Sequence, residues 1–79
     1  MQNIEDRIKA ILAEQFCRSA VEIDLASDMS DSYDCDSLDV VEIVMNVEDD
    51  FELEIPDEAM WAMKTGRQIA DYVQANVKA

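Results

Sequence analysis

The stretch Asp36-Ser37-Leu38-Asp39-Val40-Val41-Glu42-Ile43-Val44-Met45-Asn46-Val47-Glu48-Asp49-Asp50-Phe51 decides the fold. Successive helical residues turn by about 100°. Val40, Ile43, Val44, Val47 and Phe51 therefore gather on one side, with the spacing of a buried helical face. Leu38, Val41 and Met45 fall on a different side, rimmed by Glu42 and Asp49 on one edge and by Glu48 on the other. Asp36 stands where an N-cap belongs, and Pro56 closes the segment because the residue before proline resists helical geometry. The pattern predicts a helix over 37–51. Only one of its two stripes can enter a small core, so the second is expected to be largely exposed. Three exposed apolar residues ringed by carboxylates, with no basic residue nearby, read as a partner surface.

Working outward, Ile4, Ile8, Ile11, Leu12 and Phe16 form one apolar stripe, which predicts a first helix over 3–16 with Asn3 as its cap. Residues 17–35 read as a long connection rich in Ser and Asp, pinned to the core by Val21, Ile23, Leu25 and Met29. Loops of that length are uncommon in compact domains and often functional. Beyond Pro56, a short helical turn is expected through Met63. Thr65-Gly66-Arg67-Gln68 is a capping box, and Ile69, Tyr72, Val73 and Val77 supply the stripe of a last helix over 66–77. No strand pattern competes. The expected architecture is all-α: a small four-helix bundle of three longer helices and one short one, a single domain over 1–79, working as a monomer.

The 79 residues carry 6 basic and 19 acidic side chains, a formal charge of −13. No Lys or Arg lies between Arg18 and Lys64, a stretch that holds fifteen of the acids. This argues against nucleic-acid phosphates and anionic membranes, which are bound by cations, and favours basic protein surfaces. With no histidine there is no imidazole base, no histidine-ligated metal and no Ser-His-Asp triad, so catalysis by the chain itself is not expected. Asp31, Asp34, Asp36 and Asp39 lack the spacing and the glycine of a calcium loop, and no metal site is assigned. Cys17 and Cys35 do not form a disulfide framework. They read as small, half-buried hydrophobes. There is no long apolar run and no signal-like segment, and a cytoplasmic protein without membrane insertion is expected.

Ser37 lies in the first turn of the helix beginning at Asp36, near free backbone N–H groups and the positive helix end, a place that tolerates a phosphate ester. Spacing alone leaves capping and modification both open. The residues around it add weight. Asp36-Ser37-Leu38-Asp39, then Val41-Glu42-Ile43-Val44-Met45, Glu48-Asp49-Asp50-Phe51, Glu54-Ile55-Pro56-Asp57-Glu58 and finally Ile69-Ala70-Asp71-Tyr72-Val73 run in register over nearly the whole chain. The sequence thereby resembles the acyl carrier proteins.

The resemblance implies that Ser37 bears a 4′-phosphopantetheine arm, installed from coenzyme A by a separate phosphopantetheinyl transferase with Mg²⁺. The terminal thiol would hold acyl intermediates as thioesters and carry them between enzymes of a fatty-acid or polyketide-type synthase. Asp36, Leu38, Asp39, Val41, Glu42, Met45, Glu48 and Asp49 would dock onto basic patches of those enzymes. Ile43, Val47, Ile55, Met60, Met63, Ile69 and Tyr72 would line an acyl pocket. Three departures from the family pattern stand out. Cys35 puts a thiol beside the arm, open to a mixed disulfide. Trp61 is expected to be half-buried packing, or else a contact for cargo or partner. Gly66 is expected to weaken the last helix. The alternatives are a carrier of aminoacyl or aryl groups and, in a different class, an acidic interaction protein that mimics nucleic acid.

Overall fold

The computed structural model describes residues 3–77. Asn3 opens α1 (Ile4–Gln15), its side-chain oxygen accepting the Asp6 N–H at 2.8 Å. Glu5 and Asp6 occupy the first turn, where unpaired N–H groups favour negative charge. The helix ends in a left-handed residue, Cys17 (φ 56°). The Arg18 N–H reaches back to the Ala13 carbonyl at 2.9 Å and the Cys17 N–H to that of Glu14 at 3.4 Å. Cys17 is thus a helix-terminating residue and is exposed, not the half-buried hydrophobe expected.

The connection that follows is more ordered than its composition suggests. It holds a 3₁₀ turn (Ala20–Glu22) and a short helix, α2 (Met29–Tyr33), so the described residues contain five α-helices where four were expected. Asp28 caps α2 by accepting from the Ser30 and Asp31 N–H groups, and left-handed Asp34 ends it. Five residues are too few to show a helical period, which is why α2 does not appear in the sequence pattern. Ile23, Leu25 and Met29 are buried as anchors, but Val21 is 94% exposed. A 3₁₀ turn advances about 120° per residue, so Val21 does not share a face with Ile23 as it would in extended chain.

α3 (Ser37–Phe51), α4 (Asp57–Ala62) and α5 (Gly66–Asn76) complete the bundle. The largest fully buried side chains are Ile8 and Leu12 of α1, Ile43 and Val47 of α3, and Ile69 and Val73 of α5. The three long helices thus contribute two each. α1 packs on both α5 and α3, and α4 leans on α3. The long connection is tied to the α4–α5 junction by backbone bonds. The Met29 N–H donates to the Lys64 carbonyl at 2.9 Å, and the Arg67 N–H to that of Leu25 at 2.8 Å.

Gly66 marks a close approach at that junction. A Cβ there would lie 2.6 Å from Leu25 Cδ2 and 2.9 Å from Leu12 Cδ1, both on buried side chains. Its φ is not positive, so space rather than backbone conformation calls for glycine. Besides the helix-propensity cost expected of it, Gly66 lets α5 close onto the loop and α1. No described helix is long and apolar enough to cross a membrane.

Candidate functional site

The site is built at the start of α3. The Asp36 carboxylate accepts the Asp39 N–H at 3.0 Å, and the Asp39 carboxylate accepts the Asp36 N–H at 3.2 Å. This reciprocal cap fixes the first turn and leaves Ser37 as its first helical residue. Ser37 is exposed, and its hydroxyl takes part in none of the hydrogen bonds among the described residues.

Beside Ser37 opens a cleft of about 220 Å³ between α2, the beginning of α3 and α4. Met29, Val40, Met60, Trp61 and Met63 line it with apolar surface, while Ser30, Asp36 and Lys64 add polar groups. A free hydroxyl on the lip of a partly apolar cleft, at the positive end of a fifteen-residue helix, fits a phosphate-linked arm with a thioester cargo. Thioether side chains can repack around different ligands. Trp61 is 52% exposed and walls the cleft, so it is less packed than expected.

Cys35 also lines the cleft but is itself buried. Burial first, then the carboxylates of Asp39, Asp36 and Asp28, push its thiol up to about 11. The thiolate is the nucleophile in disulfide exchange, so this thiol is held in its unreactive form. That weighs against the mixed disulfide anticipated from its position.

The residues named from the sequence fall in different places. Of those expected to line an acyl pocket, Met60 and Met63 border the cleft. Ile43, Val47 and Ile69 are packed in the core. Ile55 is buried, and its backbone N–H donates to Glu48 at 2.8 Å. Tyr72 is half-buried, its hydroxyl donating to the Glu54 carbonyl at 3.3 Å.

Of those expected to dock partners, Leu38 is 69% and Met45 58% exposed, with Val41 half-buried between them. The second stripe of α3 therefore faces solvent, as its two-sided pattern requires. Asp36, Glu42 and Asp49 are exposed, while Asp39 and Glu48 are half-buried. Four of these acids are also engaged within the chain. Asp36 and Asp39 cap α3, Glu48 accepts from Ile55, and Asp39 and Glu42 both accept from Gln15. The Gln15 hydrogen bond is the leading reason that the Asp39 carboxyl lies below its ordinary range.

Three participants escape sequence reading. Gln15 is 24 residues from Asp39, and nothing local signals the contact. Lys64 enters the cleft only through the fold. Tyr33 stacks on Phe16 with ring centroids 5.1 Å apart, lies under the Arg18 guanidinium, and accepts the Asp24 N–H at 2.8 Å. It thereby anchors the loop behind the site.

A family model described as a phosphopantetheine attachment site matches residues 6–73 of this chain. The matched span runs from the first turn of α1 to the middle of α5 and contains the whole site.

Proposed function

We propose a role that starts from one shown fact: the chain belongs to the family of phosphopantetheine attachment domains, and so is a carrier for the 4′-phosphopantetheine group. Carrier domains of this family are generally non-catalytic and work with a phosphopantetheinyl transferase and with synthase enzymes. In our reading Ser37 is the attachment residue. One observation carries it: an exposed, unengaged hydroxyl at the first helical position of α3, on the lip of the cleft, inside the matched span.

The bound group supplies a thiol that holds cargo as a thioester. The chain's own residues do the rest. Asp36 and Asp39 hold the first turn so that the Ser37 oxygen projects outward, and the helix N-terminus favours the negative charge placed there. Met29, Met60, Trp61 and Met63 offer the cargo an apolar surface. This suits acyl intermediates of a fatty-acid or polyketide-type synthase. Leu38, Val41 and Met45 form an apolar strip for partner enzymes. Asp36, Asp39, Glu42, Glu48 and Asp49 around it attract basic docking patches and speed encounter. Two free thiols suit the reducing cytoplasm, where we place the chain as a monomer.

The test is to incubate the purified protein with coenzyme A, Mg²⁺ and a broad-specificity phosphopantetheinyl transferase and to take an intact mass. The protein should gain one phosphopantetheine and Ser37→Ala none. No gain by the unaltered chain, or a gain retained by Ser37→Ala, defeats the reading.

A further inference from the structure

We propose that Gln15 is a positioning residue for partner docking: its side-chain amide holds the Asp39 and Glu42 carboxylates together as a preformed double acceptor for one arginine guanidinium of a partner enzyme. The inference rests on the docking role proposed for α3 and deepens it.

Gln15 is the last residue of α1. Its Nε2 donates to Asp39 Oδ1 at 2.8 Å and to Glu42 Oε1 at 2.9 Å. Two carboxylates can be met at once only by the NH₂ end of the amide, which carries two hydrogens, so the orientation of the side chain is determined by chemistry. Asp39 and Glu42 lie three residues apart on one face of α3, where like charges repel. A lysine or arginine at position 15 would relieve that repulsion by neutralising it. The amide relieves it while leaving both negative charges for a partner.

The base from which Gln15 reaches is rigid. The next residue, Phe16, stacks on Tyr33, and Cys17 and Arg18 close α1 with backbone bonds to Glu14 and Ala13. The Asp39 backbone N–H is also held, by Asp36. The two carboxylates are therefore gathered on the Gln15 amide, on one face of α3 and in a stretch with no lysine or arginine of its own. A guanidinium, with five donors in a planar fork, can satisfy both, whereas an ammonium is a point charge. Ordering a flexible carboxylate side chain before encounter spares that loss on binding, which corresponds to roughly a fivefold to tenfold gain in affinity.

The experiment is a double-mutant cycle on transferase-catalysed loading, measuring KM for the carrier and kcat separately in the unaltered chain, Gln15→Met, Glu42→Gln and the double variant. Gln15→Leu is carried in parallel, and each variant's thermal transition is recorded to select an assay temperature well below it. The expected result is a KM raised about fivefold to tenfold by either Gln15 variant with kcat unchanged, and less than a further twofold rise when Glu42 is already Gln. A rise by the same factor in both backgrounds overturns the proposal, because Gln15 then acts without Glu42. An unchanged KM in both Gln15 variants overturns it while leaving the docking role standing, provided Glu42→Gln alone raises KM. If Glu42→Gln leaves KM unchanged, the docking role of that face fails and this inference with it.

Discussion

Reversing the charge at position 42 or at position 48 makes the same change in net charge but should have unequal consequences for the fold. Both residues belong to the docking rim that the sequence predicts. The structure separates them. Glu42 is exposed, and among the described residues its side chain bonds only to that of Gln15. Glu48 is half-buried and accepts the backbone N–H of Ile55 at 2.8 Å, which fastens the α3–α4 connection near its end. Lysine has no acceptor, so Glu48→Lys removes that bond and strands the N–H. A hydrogen bond to a charged group contributes about 1.5–3 kcal/mol. For a domain of this size each kcal/mol moves the midpoint by about 4–8 °C, so Glu48→Lys should melt roughly 6–24 °C lower.

Glu42→Lys should stay within about 0.5 kcal/mol of the parent, as exposed substitutions do. Relief of acidic self-repulsion is common to both variants and cancels in the comparison. Glu48→Gln, which keeps an acceptor oxygen, should recover most of the loss. Urea denaturation monitored by circular dichroism gives the three values. Equal midpoints for Glu42→Lys and Glu48→Lys would refute the division of the rim into a docking acid and a fold-holding one. In transferase loading at low salt, Glu42→Lys should slow association with the fold kept.

Gly66→Ala sets a helix-propensity gain of up to about 1 kcal/mol against an overpacking cost of about 1–3 kcal/mol, since its Cβ meets Leu25 and Leu12 at 2.6 and 2.9 Å. Chemical denaturation should show a net loss, and a more stable variant would contradict the close approach of α5. For the two thiols, an aromatic disulfide reagent at about pH 8 should label exposed Cys17 quickly and Cys35 slowly. The Cys35 rate should climb until about pH 11, the value to which burial and the neighbouring carboxylates push its thiol. Because the folded chain favours the protonated thiol, its contribution to stability is whole below the ordinary value of 9.0. That contribution is lost as pH rises to about 11. Equal labelling rates for the two thiols at pH 8 would refute the assignment.

Much of the fold was legible because helices announce themselves through local spacing. The range 37–51, the Asp36 cap and the Thr65–Gln68 box all depend on contacts within one or two turns, and they stand in the structure as read. The exposed strip of Leu38 and Met45 was legible for the same reason, since a helix with two apolar faces can bury only one in so small a core. The short helix α2 and the outward turn of Val21 were not, because neither is long enough to show a period.

Composition and local pattern alone determined that this chain is small, acidic and all-helical with a serine at a helix start, because charge, capping and amphipathic period are carried by neighbouring residues. The carrier reading came from the family resemblance of the motifs taken together. Tertiary structure alone decided which acids are free and which are engaged, that Gln15 reaches Asp39 and Glu42, that Gly66 is a contact point, and that Trp61 and Lys64 border the same cleft as Ser37. Those are contacts between residues up to dozens of positions apart. Such partners are selected by how helices pack, and no local stretch of the chain encodes them.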